Sequence, residues 1–184
     1  MLSERLADLP VCVSSAGTHA REGMPMTEEA IRLAVARGVD PSKPLTHSAR
    51  LLTPEMLDEA DLILTMTRDH RRLAVELLPA ALRRTLTIRE FSRLAAGAAE
   101  AEIRSTPALG SRDNAARSDF ESALAMLTAL RGVVGSPAAA TDDDVVDPFR
   151  RSWTTYERSA SELDPGLFAV EKFVRSVAAS FSES

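Results

Sequence analysis

Apolar residues recur along the chain in short blocks of alternating period. Leu2, Leu6 and Leu9 share one face at helical spacing, and Pro10 closes that segment. Val11-Cys12-Val13-Ser14 reads as a short strand, with Ser15-Ala16-Gly17-Thr18 as the loop after it. Thr27 followed by Glu28 and Glu29 predicts a capped helix whose first turn is acidic. Its apolar side is Ile31, Ala34 and Val35, Met26 is placed to staple onto Ile31, and Gly38 suits the position after its end. A proline-bearing loop over residues 39–52 carries His47-Ser48-Ala49-Arg50. Thr53-Pro54-Glu55 predicts a second capped helix. It leads to Asp61-Leu62-Ile63-Leu64-Thr65-Met66, a continuous apolar run of the kind found in strands covered on both faces. Thr67 caps a third helix, with Leu73, Leu77 and Leu78 facing inward. Thr85-Leu86-Thr87-Ile88 predicts another strand, and residues 89–96 another helix.

Strands alternating with helices at short intervals predict an α/β fold: a small doubly wound parallel sheet with helices on both faces. At Gly97 the composition changes. Residues 97–140 are rich in Ala and Ser, and within them Phe120, Leu124, Leu127 and Leu130 form one helical stripe. The predicted organisation is therefore a single domain over residues 1–184 with a helical insertion at about 97–140. Asp164-Pro165 predicts the start of a last helix with Leu167, Val170, Val174 and Val177 buried.

The overall composition narrows the function classes. A length of 184 residues and 45% hydrophobic content suit one domain with a real core. A formal net charge of -5 argues against a nucleic-acid partner. No apolar run approaches the roughly 20 residues needed to cross a bilayer, and Met1-Leu2-Ser3-Glu4-Arg5 lacks the basic start and apolar core of a signal peptide. One cysteine, Cys12, rules out an internal disulfide and fits a reducing cytoplasmic setting. Lysine occurs only at Lys43 and Lys172, a bias that suggests a GC-rich bacterial gene.

The most distinctive stretch is Thr141-Asp142-Asp143-Asp144-Val145-Val146-Asp147-Pro148-Phe149. A carboxylic acid on a Pro-fixed turn beside an aromatic ring is suited to general acid catalysis, and equally reads as a solvated linker. Asp142, Asp143 and Asp144 lack the spaced Gly and Glu of a calcium loop, and His19 and His70 lack ligand partners, so no metal and no other cofactor is expected.

Four segments, in this order, together resemble the low-molecular-weight protein tyrosine phosphatases: Val13-Ser14-Ser15-Ala16-Gly17-Thr18, His47-Ser48-Ala49-Arg50-Leu51-Leu52-Thr53, Asp61-Leu62-Ile63-Leu64-Thr65-Met66, and Asp147-Pro148-Phe149 with Tyr156 beyond. The resemblance implies hydrolysis of a phosphotyrosine protein or a small aryl phosphate by a cysteine nucleophile and an aspartic general acid. It implies Asp147 as that acid, Phe149 as a substrate contact, and Ser15 and His47 as supports of the phosphate-binding loop.

The chain departs from the family where the nucleophile belongs. No Cys-x5-Arg occurs in it, and Thr18 stands where the arginine would fall relative to Cys12. Cys12 is accordingly expected to be a small buried core residue. Met1-Leu2-Ser3-Glu4-Arg5-Leu6 resembles the continuation of the phosphate loop into the first helix, so the chain is expected to begin just after that loop, with the first strand and loop missing. The absent piece would be about 15–20 residues. An internal Met taken as the start and a real loss both give this pattern. The gap would close if residues 11–14 paired directly with residues 62–66. As given, the chain is expected to be inactive. The alternatives are a non-catalytic interaction module that uses residues 97–140, and a relative of the arsenate reductases, which would need further redox cysteines.

Overall fold

The computed structural model describes residues 1–100 and 115–182. Residues 101–114, part of the predicted insertion, lie outside the described residues. In chain order the elements are α1 (Leu2–Arg5), α2 (Glu28–Ala36), α3 (Ser42–Leu45), α4 (Pro54–Glu59), β1 (Ile63–Thr65), α5 (Arg68–Leu77), β2 (Thr85–Thr87), α6 (Ile88–Glu100), α7 (Ala115–Ala129) and α8 (Trp153–Ser182).

The helix starts follow their caps. Thr27, Thr53 and Thr67 each take the extended backbone of an N-cap and accept an N–H three residues on, from Ala30, Met56 and His70. Gly38, with φ at 82°, supplies the left-handed turn after α2. Val35 departs from the expected buried face and is 39% exposed.

β1 and β2 pair in parallel, with Ile63, Leu64 and Thr65 opposite Thr85, Leu86 and Thr87. The crossover between them is α5 and a 3₁₀ turn at Pro79–Arg84. The small parallel sheet flanked by helices agrees with the predicted class, although both strands are shorter than their apolar runs. Three buried threonines in the sheet have bonded hydroxyls. Thr85 donates to the Ala81 carbonyl at 2.7 Å, Thr65 donates to the carbonyls of Thr67 and Leu86, and Thr87 accepts the Glu90 N–H at 3.0 Å.

Residues 11–14 do not form the expected strand. They belong to no regular element, are exposed, and do not pair with β1. A four-residue apolar block becomes a strand only beside a hydrogen-bonding neighbour, and here the nearest parallel pairing is the single bridge between Gly17 and Leu51. Cys12 is exposed with them, contrary to the expected buried position.

The core lies where α6, α7 and α8 meet β2. Phe91, Leu86 and Leu94 are wholly buried there with Leu124, Leu127, Leu130, Val170 and Val174. The Phe173 ring stands edge-on to Phe91 and to Phe120, with centroids 5.5 Å apart in both pairs. The stripe read from residues 120–130 therefore packs into the main core. α6 passes through Gly97 to Glu100 instead of stopping at Ala96, and the glycine leaves room for Val134, which would lie 2.3 Å from a Cβ at 97.

The last helix starts 11 residues before Asp164, at Trp153, and continues through Pro165. Tyr156, Ala160, Leu167, Val170, Val174 and Val177 are buried along one face. Burial of that stripe outweighs the backbone hydrogen bond that Pro165 cannot donate.

α1 is tied to α8 by charge. Arg5 meets Glu171 at 2.9 Å, while Arg175 grips Asp8 through two nitrogens and donates to the Arg5 carbonyl at 2.6 Å. Met1 sits in a crevice with Arg37, Val39, Asp164 and Phe168, and burial lowers the pKa of its amino group.

Candidate active site

Asp147 lies in the loop that connects the core to α8. The three residues before it are anchored from three directions. The Asp144 carboxylate accepts the Arg68 backbone N–H at 2.8 Å, at the start of α5, and is held by the Arg68 guanidinium at 2.9–3.2 Å. The Arg68 hydrogen bonds outweigh the cost of partial burial and hold the Asp144 carboxyl below the usual range. The Val145 N–H donates to the Met66 carbonyl at 2.8 Å, so this loop passes beside the end of β1, and the Val145 side chain is buried against Ile88 and Leu167. The Val146 N–H donates to Glu162 of α8 at 2.9 Å. Burial opposes ionisation of Glu162, but this N–H with Arg158 and Arg89 leaves its pKa lowered overall.

The Asp-rich stretch is thus not a solvated linker. Asp143 is paired with Arg93 of α6 at 3.0 Å, and Asp142 accepts the Ala139 N–H at 2.9 Å. Arginines from α5 and α6 neutralise the two half-buried carboxylates, so loop and helices hold one another. Among the described residues no three His, Cys, Asp or Glu side chains stand together as a metal group.

Beyond these anchors the chain turns sharply. Asp147 is exposed, and its Oδ1 accepts the Phe149 N–H at 3.0 Å, the turn expected of an Asp before Pro. Phe149 is 56% exposed, with the Arg150 guanidinium 5.1 Å from its ring centre. Arg150 holds φ at 58°, a left-handed conformation that costs a side-chain-bearing residue roughly 1 kcal/mol or more. Trp153 and Tyr156 then begin α8. Their rings stack at 6.5 Å, Arg32 lies 4.1 Å from the Trp153 ring centre, and the Tyr156 hydroxyl meets Thr27 Oγ1 at 3.1 Å.

Ser15 and His47 belong to a second group. The Ser15 carbonyl accepts from Arg50 at 3.0 Å, while Gly17 exchanges hydrogen bonds with Arg50 and Leu52 on either side of Leu51. His47 is half-buried just after α3. The structure thus joins the Ser15 loop to the loop that follows His47, and joins Asp147 to Phe149. Among the described residues no hydrogen bond or ion pair links the two groups. Arg68, Arg93 and Glu162 were not singled out from the sequence, because partners 76, 50 and 16 residues apart leave no local pattern.

Comparison with known proteins identifies the family. A family model described as low molecular weight phosphotyrosine protein phosphatase matches residues 2–132. The chain belongs to this family. Asp147-Pro148-Phe149 lies beyond the matched residues. No curated protein matches significantly. Solved structures with a similar fold include Vibrio vulnificus Wzb in complex with benzylphosphonate, at 19% identity over 93% of this chain and 84% of that one, with a TM-score of 0.59. The YwlE arginine phosphatase of Geobacillus stearothermophilus aligns at 21% identity over 95% of this chain and 81% of that one, with a TM-score of 0.61. The Erwinia amylovora tyrosine phosphatase amsI aligns at 19% identity over 96% and 79%, with a TM-score of 0.54. Among the described residues of this family member, no helix is long and apolar enough to cross a membrane.

Proposed function

We propose that this phosphatase-family chain carries the proton-donating side of a phosphate monoester hydrolase for phosphotyrosine or related aryl phosphates, and that its 184 residues do not hydrolyse such esters by themselves. The observation that carries this reading is the Asp147 turn. One carboxyl oxygen is fixed by the Phe149 N–H, and the other has no partner among the described residues. A carboxyl held this way protonates a departing phenolate, then takes a proton from the water that frees the phosphoryl group. The exposed Phe149 ring beside it suits an aryl leaving group.

Proton donation alone does not break the ester. The family reaction also needs a thiolate to attack phosphorus and an arginine with backbone N–H groups to hold the oxygens, and the sequence contains no Cys-x5-Arg. Ser15 and His47 are proposed to support such a loop, and the action is proposed to be cytoplasmic. One similar structure is an arginine phosphatase. A phosphoarginine leaving group would ask the same proton of Asp147.

The purified chain is expected to release no p-nitrophenol from p-nitrophenyl phosphate above the level of D147N. Hydrolysis that depends on Asp147 would overturn the proposed inactivity. A chimera with a family strand and Cys-x5-Arg-Ser loop placed ahead of Met1 is expected to gain activity on phosphotyrosine. In that chimera D147N is expected to lose about 10²- to 10⁴-fold on phenyl phosphate and less on p-nitrophenyl phosphate, whose leaving group needs less protonation. Unchanged turnover of phenyl phosphate by the D147N chimera would remove Asp147 from the mechanism. Faster turnover of phosphoarginine than of phosphotyrosine would reassign the substrate.

A further inference from the structure

We infer that Arg151 and Arg158 form a cationic shelf beside Asp147 that holds an acidic side chain of a peptide substrate. The preferred substrate would then be a phosphorylated segment flanked by Asp or Glu, not a small free aryl phosphate. This deepens the proposed function and rests on its placement of substrate at Asp147.

Asp147 opens onto a shallow depression of about 560 Å³ whose wall includes Arg151, Ser152, Thr155 and Arg158. Most arginines in this acidic chain are already committed. Arg68 and Arg93 hold the acidic loop, and Arg5, Arg131 and Arg175 each meet a carboxylate within 3.2 Å. Arg151 differs, because its guanidinium is exposed and has no partner among the described residues.

Arg158 is only partly used. Its Nε donates to Glu162 at 2.8 Å, the side chain is 70% exposed, and no other bond is made to its remaining N–H groups among the described residues. Glu162 is itself occupied by the Val146 N–H, so it fixes the base of Arg158 without covering its outer edge. Between the two arginines, the Ser152 and Thr155 hydroxyls bond to each other at 3.0 Å and make a polar floor.

A carboxylate laid on this floor meets two planar forks of N–H donors, the geometry that guanidinium groups offer to carboxylates. Asp147, on the same rim, repels an anion placed on itself and leaves the arginine side to receive the charge. The net charge of -5 over the whole chain favours a short acidic peptide confined to this patch over a nucleic acid, whose backbone would run onto acidic surface.

The test is a titration of the full chain with acetylated, amidated hexaglutamate at low salt, followed by isothermal calorimetry. Saturable binding is expected, weakened at least tenfold in R151A and unchanged in R83A, where the arginine is exposed and remote in sequence. D147N is expected to bind as tightly as wild type or tighter. No saturable binding, equal affinity in R151A, equal weakening in R83A, or equal binding of hexathymidylate would each overturn the inference.

The outcome separates from that of the proposed function. If R151A loses the peptide while the D147N chimera hydrolyses phenyl phosphate at full rate, the shelf stands and the proton donor is wrong. If the D147N chimera loses activity while hexaglutamate does not bind, the donor stands and the shelf is wrong.

Discussion

Gly166 gives the sharpest test of the packing. It lies inside α8, where an exposed Gly→Ala change is expected to stabilise a helix by about 1 kcal/mol. The structure reverses that expectation. A Cβ at this position would lie 2.4 Å from Ile88 Cγ1 and 3.0 Å from the Ile88 carbonyl oxygen. Ile88 is 1% exposed, packed among Val145 and Leu167 at the start of α6, so neither its side chain nor its carbonyl can yield freely. Overpacking of this kind typically costs about 1–3 kcal/mol. With the helix gain subtracted, G166A is expected to be less stable than wild type by up to about 2 kcal/mol. Urea unfolding followed by Trp153 emission measures this as a lower midpoint at constant slope. G132A is the control: its Cβ meets nothing within 4 Å, so it should be neutral or slightly stabilising. In an I88A background the atom at 2.4 Å is gone, and G166A should lose most of its penalty. A G166A protein that outlasts wild type in urea would refute the close approach of α8 to α6.

The core and the acidic loop give three further expectations. F91A removes a wholly buried ring that stands edge-on to Phe173 and should cost about 3–5 kcal/mol in the same urea experiment. D144N should change global stability by no more than about 1 kcal/mol, because Arg68 is nearly half exposed, yet it should speed trypsin cleavage after Arg150 and Arg151 several-fold by freeing the loop. The Asp144 carboxyl is depressed in the folded chain, so its contribution is present above the unfolded value of about 4 and fades as pH falls through the lowered folded value. The urea-midpoint difference between wild type and D144N should therefore be present at pH 7 and vanish in strong acid, and a difference that grew on acidification would reverse the assignment.

Local chemistry was legible where one residue type acts within one turn. Thr27, Thr53 and Thr67 marked three helix starts, and the stripe at 120–130 marked a buried face. Reading failed where a distant partner decides. Val11-Cys12-Val13-Ser14 has strand composition but no strand neighbour, so it stays irregular and exposed. Asp164-Pro165 has the form of a helix start, but the burial begun at Tyr156 carries α8 through it. At the candidate site Asp147 and Phe149 were visible as a turn, whereas the arginines and Glu162 that fix the preceding residues come from three separate helices.

The crevice that receives Met1 has a practical consequence for anyone handling the protein. Because Arg5 and Arg175 lash the first helix to the last, residues added ahead of Met1 would leave from a half-covered notch between Arg37 and Phe168. A segment joined there, such as the strand and loop of the chimera, would need a few flexible residues ahead of Met1 to clear that notch.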